Sequence, residues 1–209
     1  MNKSLENNQV TLSGEIASDF YFNYKSHGEK FYIFYLDIER KSGIRDRLPV
    51  CISERLVDVS QNLKGIKVDV VGQYRSFNYG ENGKKRLILT VFAKEMQLVD
   101  VALDFYNNNN IVLKGTICKE TIHRTTPMGR DIADILVAVN RDFGKSDYIP
   151  CICWGRVAVY AGGLKIGDKC IIKGRIQSRI YNKQLDDGTF EERVAYEVSV
   201  NEMEVLIDE

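Results

Sequence analysis

Val10, Leu12 and Ile16 recur in phase with Gly14, and the residues between them are polar. Ile111, Leu113, Gly115 and Ile117 repeat that spacing a hundred residues later. A period of two places alternate side chains on opposite faces of a strand, one face for a core. Apolar runs rich in strand formers follow at 33–38 and 132–139, then at 48–52 and 148–154. Pro49 and Pro150 sit at the same point of the third pair, as at a sheet edge or a strand start. A fourth pair is expected at 68–74 and 169–176, and a fifth at 87–92 and 194–200. Asn82-Gly83 and Asp187-Gly188 precede the fifth strands, where a hairpin turn is expected. Between the third and fourth strands, Leu56, Val59 and Leu63 have helical spacing behind Ser53, which can cap a helix. In the second copy, Gly162-Gly163 interrupts the matching segment, at about 1 kcal/mol per glycine.

The pairing of elements is a repeat. At an offset of 101, residues 8–64 align without a gap and share twelve identities. Among these are Gly14 with Gly115, Arg40 with Arg141, Asp46 with Asp147, Pro49 with Pro150 and Arg55 with Arg156. Later the register slips: Gly72 meets Gly174, and Glu95-Met96 meets Glu202-Met203. Slips of this kind belong in loops, which tolerate insertion. The chain therefore divides into a first unit at 1–100, a linker at 101–108 and a second unit at 109–209. The linker runs into the polar stretch Asn107-Asn108-Asn109-Asn110. Five strands with one helix between the third and fourth is the order of an OB-fold, a small Greek-key barrel. Another five-stranded barrel, such as an SH3-like one, is the alternative, and the helix position favours the OB-fold. The expected class is all-β: two tandem OB-folds, each with a short helix between strands three and four.

Length supports two domains of about a hundred residues each, since the chain has 209 residues. Lys plus Arg equal Asp plus Glu at 29 each, which excludes a uniformly basic nucleic-acid binder but leaves room for a local basic face. Five cysteines is an odd number for a closed disulfide framework and reads as a reducing, cytoplasmic setting. No apolar run approaches the roughly 18 residues that span a bilayer, and the first residues lack the apolar core of a secretory signal. No membrane partner is expected.

The second unit reads Asn110-Ile-Val-Leu-Lys-Gly-Thr-Ile, then Arg124-Thr-Thr-Pro-Met-Gly, then Val137-Ala-Val-Asn-Arg. Asp147-Tyr-Ile-Pro-Cys-Ile-Cys-Trp-Gly-Arg and Ile172-Lys-Gly-Arg-Ile-Gln-Ser-Arg-Ile-Tyr follow. This string resembles the bacterial single-stranded-DNA-binding protein family along nearly all of 109–206. The first unit resembles it only through its match to the second, with Ser53 where the second has Trp154. The resemblance implies OB-folds that bind single-stranded DNA with little sequence preference, in replication, recombination or repair. Typical members carry one fold and form tetramers, and others carry two and form dimers. Here it implies a homodimer presenting four barrels. Typical members end in a tail with an acidic tip that recruits replication and repair enzymes. This chain stops at Ile207-Asp208-Glu209, directly after the last strand, as a variant without that tail would.

Single-strand binding needs cations for phosphates and flat rings for bases. Alternation puts Arg175, Gln177, Arg179 and Tyr181 on one strand face, with Ile176, Ser178 and Ile180 on the other. The equivalents in the first unit are Gln73, Arg75, Phe77 and Tyr79. On alternation alone the stripe reads as a solvated sheet face, and the resemblance assigns it to binding. The following hairpin carries Lys84-Lys85-Arg86 in the first unit but Asp186, Asp187, Glu191 and Glu192 in the second, so unequal contributions are expected. The resemblance also gives Trp154 a stacking role, where core packing is the alternative on physical grounds. Arg156 and Arg55 are candidates for phosphate, and Phe143 for stacking in the loop beyond the second strand. Arg40 and Arg141 end the second strands, and Arg124 and Arg130 flank the first hairpin of the second unit. The aromatics between Phe20 and Tyr35 divide between core and an interface between copies.

No metal site, cofactor or catalytic residue is expected. Cys151-Ile-Cys153 lacks the C-x-x-C spacing, and His27 and His123 fall at non-equivalent hairpin positions. No phosphate-binding loop or dinucleotide fingerprint occurs. The competing reading is an OB-fold interaction scaffold of a replication or primosome-like complex, weak in nucleic-acid affinity, whose replication-protein partners the sequence does not identify.

Overall fold

The alternating segments become strands. The computed structural model describes residues 7–81, 84–185 and 187–206, and for 79–81 and 84–86 the backbone alone. The expected turn Asn82-Gly83 lies outside the described residues. In the first half the order is β1 (Asn8–Ile16), β2 (Tyr21–Ser26), β3 (Glu29–Glu39), β4 (Arg45–Ser53), β5 (Lys67–Glu81) and β6 (Lys84–Val99). The second half runs β7 (Asn109–Ile117), β8 (Ile122–Thr125), β9 (Asp131–Asn140), β10 (Ser146–Trp154), α1 (Arg156–Gly162), β11 (Lys169–Gln184) and β12 (Phe190–Leu206). A 3-10 turn, Asp142–Gly144, precedes β10. The short strands β2 and β8 are the hairpin arms ahead of β3 and β9.

Each half closes on itself. β1 pairs with β3 and β5, β5 with β6, β6 with β4 in parallel, and β4 with β3. β7, β9, β11, β12 and β10 repeat the circuit. These are the two OB-folds, barrel 1 and barrel 2. Alternation fills them: Phe34, Leu36 and Ile38 point in from β3, and Leu48, Val50 and Ile52 from β4. In barrel 2, Cys151 and Cys153 are packed as small apolar groups, and burial pushes the Cys153 thiol up to about 12. The shared glycines have a steric reason. A Cβ at Gly14 would collide with the Asp37 carbonyl oxygen, and one at Gly72 or Gly174 with the carbonyl of Phe92 or Ser199. Gly72 and Gly174 mark the bulges at which β5 and β11 shift register.

β1 also pairs antiparallel with β7, joining all twelve strands into one sheet. Val10 faces Ile111, its own equivalent, while Asn8 faces Leu113 and Leu12 faces Asn109. That register is two-fold symmetric within one chain. The same symmetry governs the side-chain bonds across the seam. The Asn8 amide spans the backbone N–H and C=O of Tyr74, and Asn109 does the same for Ile176. Beyond the bulges, β5 crosses onto β10 and β11 crosses onto the start of β4. Asp147 Oδ1 accepts from the Ser76 N–H at 2.6 Å, and Asp46 Oδ1 from the Ser178 N–H at 2.6 Å. Segment 100–108 is held along β1, with the Leu103 N–H on Ser13 Oγ and the Asn108 amide on the Glu39 carbonyl.

The helix expectation is inverted. Among the described residues only the second half has an α-helix here, α1, and the segment after Ser53 is a series of turns. Ala158 and Ala161 are buried, and the glycines that were expected to break the helix stand at its end, Gly163 as its C-cap. In the first half, Asp58 bonds the Ser60 N–H, the Ser60 hydroxyl and Gln61, and Asn62 bonds the Lys64 N–H. Short polar side chains that satisfy nearby backbone compete with a helix.

Candidate nucleic-acid interface

The outer side of β10 carries what its inner side cannot. Ile149, Cys151 and Cys153 enter the core, so Tyr148, Pro150 and Trp154 lie on the outer side, where Ile152 is itself covered. Trp154 is 41% exposed and Tyr148 43%. Gly155 then turns the chain at φ 57°, and Arg156 opens α1 exposed, with no ion pair among the described residues. Phe143 sits in the 3-10 turn at φ 62°, a left-handed conformation uncommon for a non-glycine residue. Its ring is 98% exposed. A strained backbone that displays a bare ring supports a functional role for it.

Along β11 the expected stripe is only partly displayed. Arg179 is exposed, 3.6 Å from Glu197 and over the Tyr181 ring at 5.8 Å. Tyr181 is 36% exposed. Gln177 is buried and donates to Glu197 at 2.8 Å. Ile176 points into the core as expected, but Ile180 is 64% exposed. The alternation ends at Ser178 because beyond it β11 has left the barrel and is a free hairpin arm with two open faces.

Several arginines expected on this surface are held in the seam. Arg40 donates twice to Asp46, at 2.6 and 2.5 Å, and once to the Ser178 carbonyl at 3.0 Å. Arg175 lies 3.7 Å from the same aspartate. Arg141 Nε is 3.2 Å from Asp147, with its guanidinium over Phe77 at 5.9 Å. Arg40 and Arg141 are candidates as strand ends and Arg175 as part of the β11 stripe, but a buried carboxylate holds each. Arg124 pairs with Asp134 across β8 and β9. Arg130 is exposed beside the hairpin turn. Arg55 lies 3.4 Å from Glu29.

In barrel 1, Arg75 donates to Gln73 at 2.7 Å and lies over the Phe92 ring at 4.3 Å. Burial and the neighbouring Arg141 hold its guanidinium below the usual arginine range. Phe77 is 36% exposed. The side chains of Tyr79, Lys84, Lys85 and Arg86 lie outside the described residues. Between the two hairpin arms runs an open groove of about 970 Å³, with Pro49 and Pro150 in its wall beside Phe77 and Tyr181. Tyr148, Phe92 and Lys94 are not among the sequence candidates, and Phe31 falls there only with the aromatics divided between core and an interface between copies. Tyr148 is six residues before Trp154, hence on the same strand face, and that parity was the available signal.

Residues 108–206 match the model of the Single-strand binding protein family. The match covers the second repeat. Its relatives include single-stranded DNA-binding protein A of Bacillus subtilis, 36% identical over 89 residues, which are 39% of this chain and 52% of that one. Single-stranded DNA-binding protein 3 of Streptococcus agalactiae is 39% identical over 83 residues, 36% of this chain and 60% of that one. The chain thus spans about half the length of the curated relatives it matches. The single-stranded DNA binding protein of Thermus aquaticus superposes over 97% of this chain and 94% of its own, with a TM-score of 0.73 at 20% identity. The shared fold therefore extends over both barrels.

Proposed function

We propose that this chain binds single-stranded DNA without chemistry and with little sequence preference, by stacking bases on rings and pairing phosphates with Lys and Arg. The observation that carries it is the open outer face of barrel 2. There Trp154 and Tyr148 are displayed on one strand, with Arg156 and the bare Phe143 ring near either end. Every base has a π-face, so ring stacking tolerates any sequence, at about 1–3 kcal/mol per base. The family match over this repeat and the names of its relatives support the same ligand. Arg179, Tyr181 and Arg130 extend the surface. Two copies of the chain would present four barrels, and the exposed Leu87, Ile88, Ile180 and Val194 on the hairpin arms are apolar surface suited to such an assembly. The setting is replication, recombination or repair in the cytoplasm. No helix is long and apolar enough to cross a membrane among the described residues.

The test is a titration with a thymidine oligonucleotide at several salt concentrations. Trp154, the one tryptophan, reports binding directly. Its fluorescence is expected to quench, and log affinity to fall against log salt with a slope of about −0.7 per phosphate neutralised. Absence of both quenching and a mobility shift at low salt refutes the reading.

A further inference from the structure

The 101-residue offset makes the two outer faces comparable position by position. Where barrel 2 has Phe143, Tyr148 and Trp154, barrel 1 has Ser42, Arg47 and Ser53. None of these can stack a base as a ring does, and two are already engaged. Arg47 is paired to both oxygens of Asp37 at 2.8 Å, and the Ser53 hydroxyl is bonded to Glu29. Glu29 and Glu54 are paired with Arg55 and Lys30, so the cations of this corner are already engaged. If barrel 1 bound bases in the manner of barrel 2, it would do so with no rings.

Barrel 1 has rings elsewhere on the same outer face. Tyr24 and Phe31 stack at 4.8 Å with 16° between planes, and Phe31 and Phe92 lie 5.7 Å apart. All three rings are half-buried. Arg75 lies over Phe92, and the exposed Lys94 has its Nζ 5.0 Å from the same ring centroid. In barrel 2 the equivalents of Phe31 and Phe92 are Ile132 and Ser199, so the ladder is peculiar to the first copy. The charge around it is unbalanced. Arg75, Lys94 and Arg141 face the carboxylates of Asp142 and Asp147, three cations to two anions. Nε of Arg75 is buried without a hydrogen-bond partner. On either side of Arg75 in sequence, the Ser76 N–H bonds Asp147 and the Phe77 ring lies under Arg141, the residue before the turn Asp142–Gly144. The Arg75 end of the ladder therefore lies beside the barrel 2 turn that carries Phe143.

We infer that barrel 1 takes bases of single-stranded DNA on the Phe31–Phe92 step, with Lys94 and Arg75 at the flanking phosphates, and that the strand reaches it from barrel 2 by way of Phe143. The inference rests on the single-strand reading above and adds where the first barrel holds its share. Guanidinium planes and rings are both surfaces on which a splayed base stacks. The stack of Arg75 on Phe92 supplies both in one place, and the surplus positive charge complements phosphate.

The full chain is titrated with a short thymidine oligonucleotide, roughly the 4–16 nucleotides one OB-fold takes up, and with one about three times as long. The double variant Phe31→Leu, Phe92→Leu is expected to bind the long strand about tenfold or more weakly. It should cover fewer nucleotides per chain and leave the short-strand quenching of Trp154 unchanged. Lys94→Glu alters an exposed side chain and tests the same step without touching packing; its salt slope should fall by about 0.7. In wild type, a strand carrying 5-iodouracil should photo-crosslink to the peptides holding Phe31 or Phe92. Long-strand binding unaltered in both variants, or crosslinks confined to barrel 2, overturns the inference and leaves single-strand binding standing. A wild-type chain that binds neither oligonucleotide overturns both.

Discussion

Asp147 is fully buried, yet its side chain meets the Ser76 N–H and Arg141 from two different barrels' worth of structure. Burial pushes its carboxyl above the ordinary range, more than those partners pull it down. The folded chain thus holds this proton more tightly than the unfolded one. The stabilisation from this group is fully present below the unfolded value near 3.8 and is lost as pH rises through the raised folded value. Asp147→Asn keeps an acceptor for Ser76 and removes the titration. The gap in thermal midpoint between wild type and variant should move in favour of wild type as pH falls from about 7 to about 4. A gap that stays constant with pH would mean that burial does not raise the carboxyl above its unfolded range. Single positions were the least legible part of the sequence. Arg40 and Arg141 looked available because their aspartates, though only six residues on, are buried by the crossing arm of the other half. That burial has no local signature.

Elements were read more fully. Period-two alternation found the ten barrel strands because each has one face in a core, whereas the bulges at Gly72 and Gly174 were not anticipated. The lengths of β5, β6, β11 and β12 were underestimated, since the arms beyond the barrels expose both faces and carry no alternation. The helix was misplaced because a spacing rule saw Leu56, Val59 and Leu63 but not the side-chain bonds of Asp58 and Asn62. What locks the elements together is the pair of asparagine clamps. Asn109→Ala leaves the buried Ile176 N–H and C=O without partners, at about 1–3 kcal/mol for each group. Asn8→Ala does the same to Tyr74. Each is expected to lose at least about 2 kcal/mol in denaturant unfolding, and the two losses should be similar, because the clamps are related by the internal two-fold. A loss from one clamp alone would show that the seam is supported from one side.

On the scale of the whole molecule, the two barrels share a sheet, a seam and two crossing arms. They are expected to unfold together. Trp154 fluorescence, which reports barrel 2, and far-UV circular dichroism, which reports both, should give coincident thermal transitions. Separate transitions would mean the barrels are independent modules. The tandem arrangement was legible from the 101-residue repeat alone, whereas the direct β1–β7 pairing was not, because both strands looked complete as parts of their own barrels. That pairing has an evolutionary consequence. In an assembly of identical subunits every substitution is made twice, once on each side of the axis, so a ring lost from one side is lost from both. Covalent union of the two sides frees them from that constraint, and Ser53 opposite Trp154 is the mark of a molecule whose left hand no longer has to copy its right.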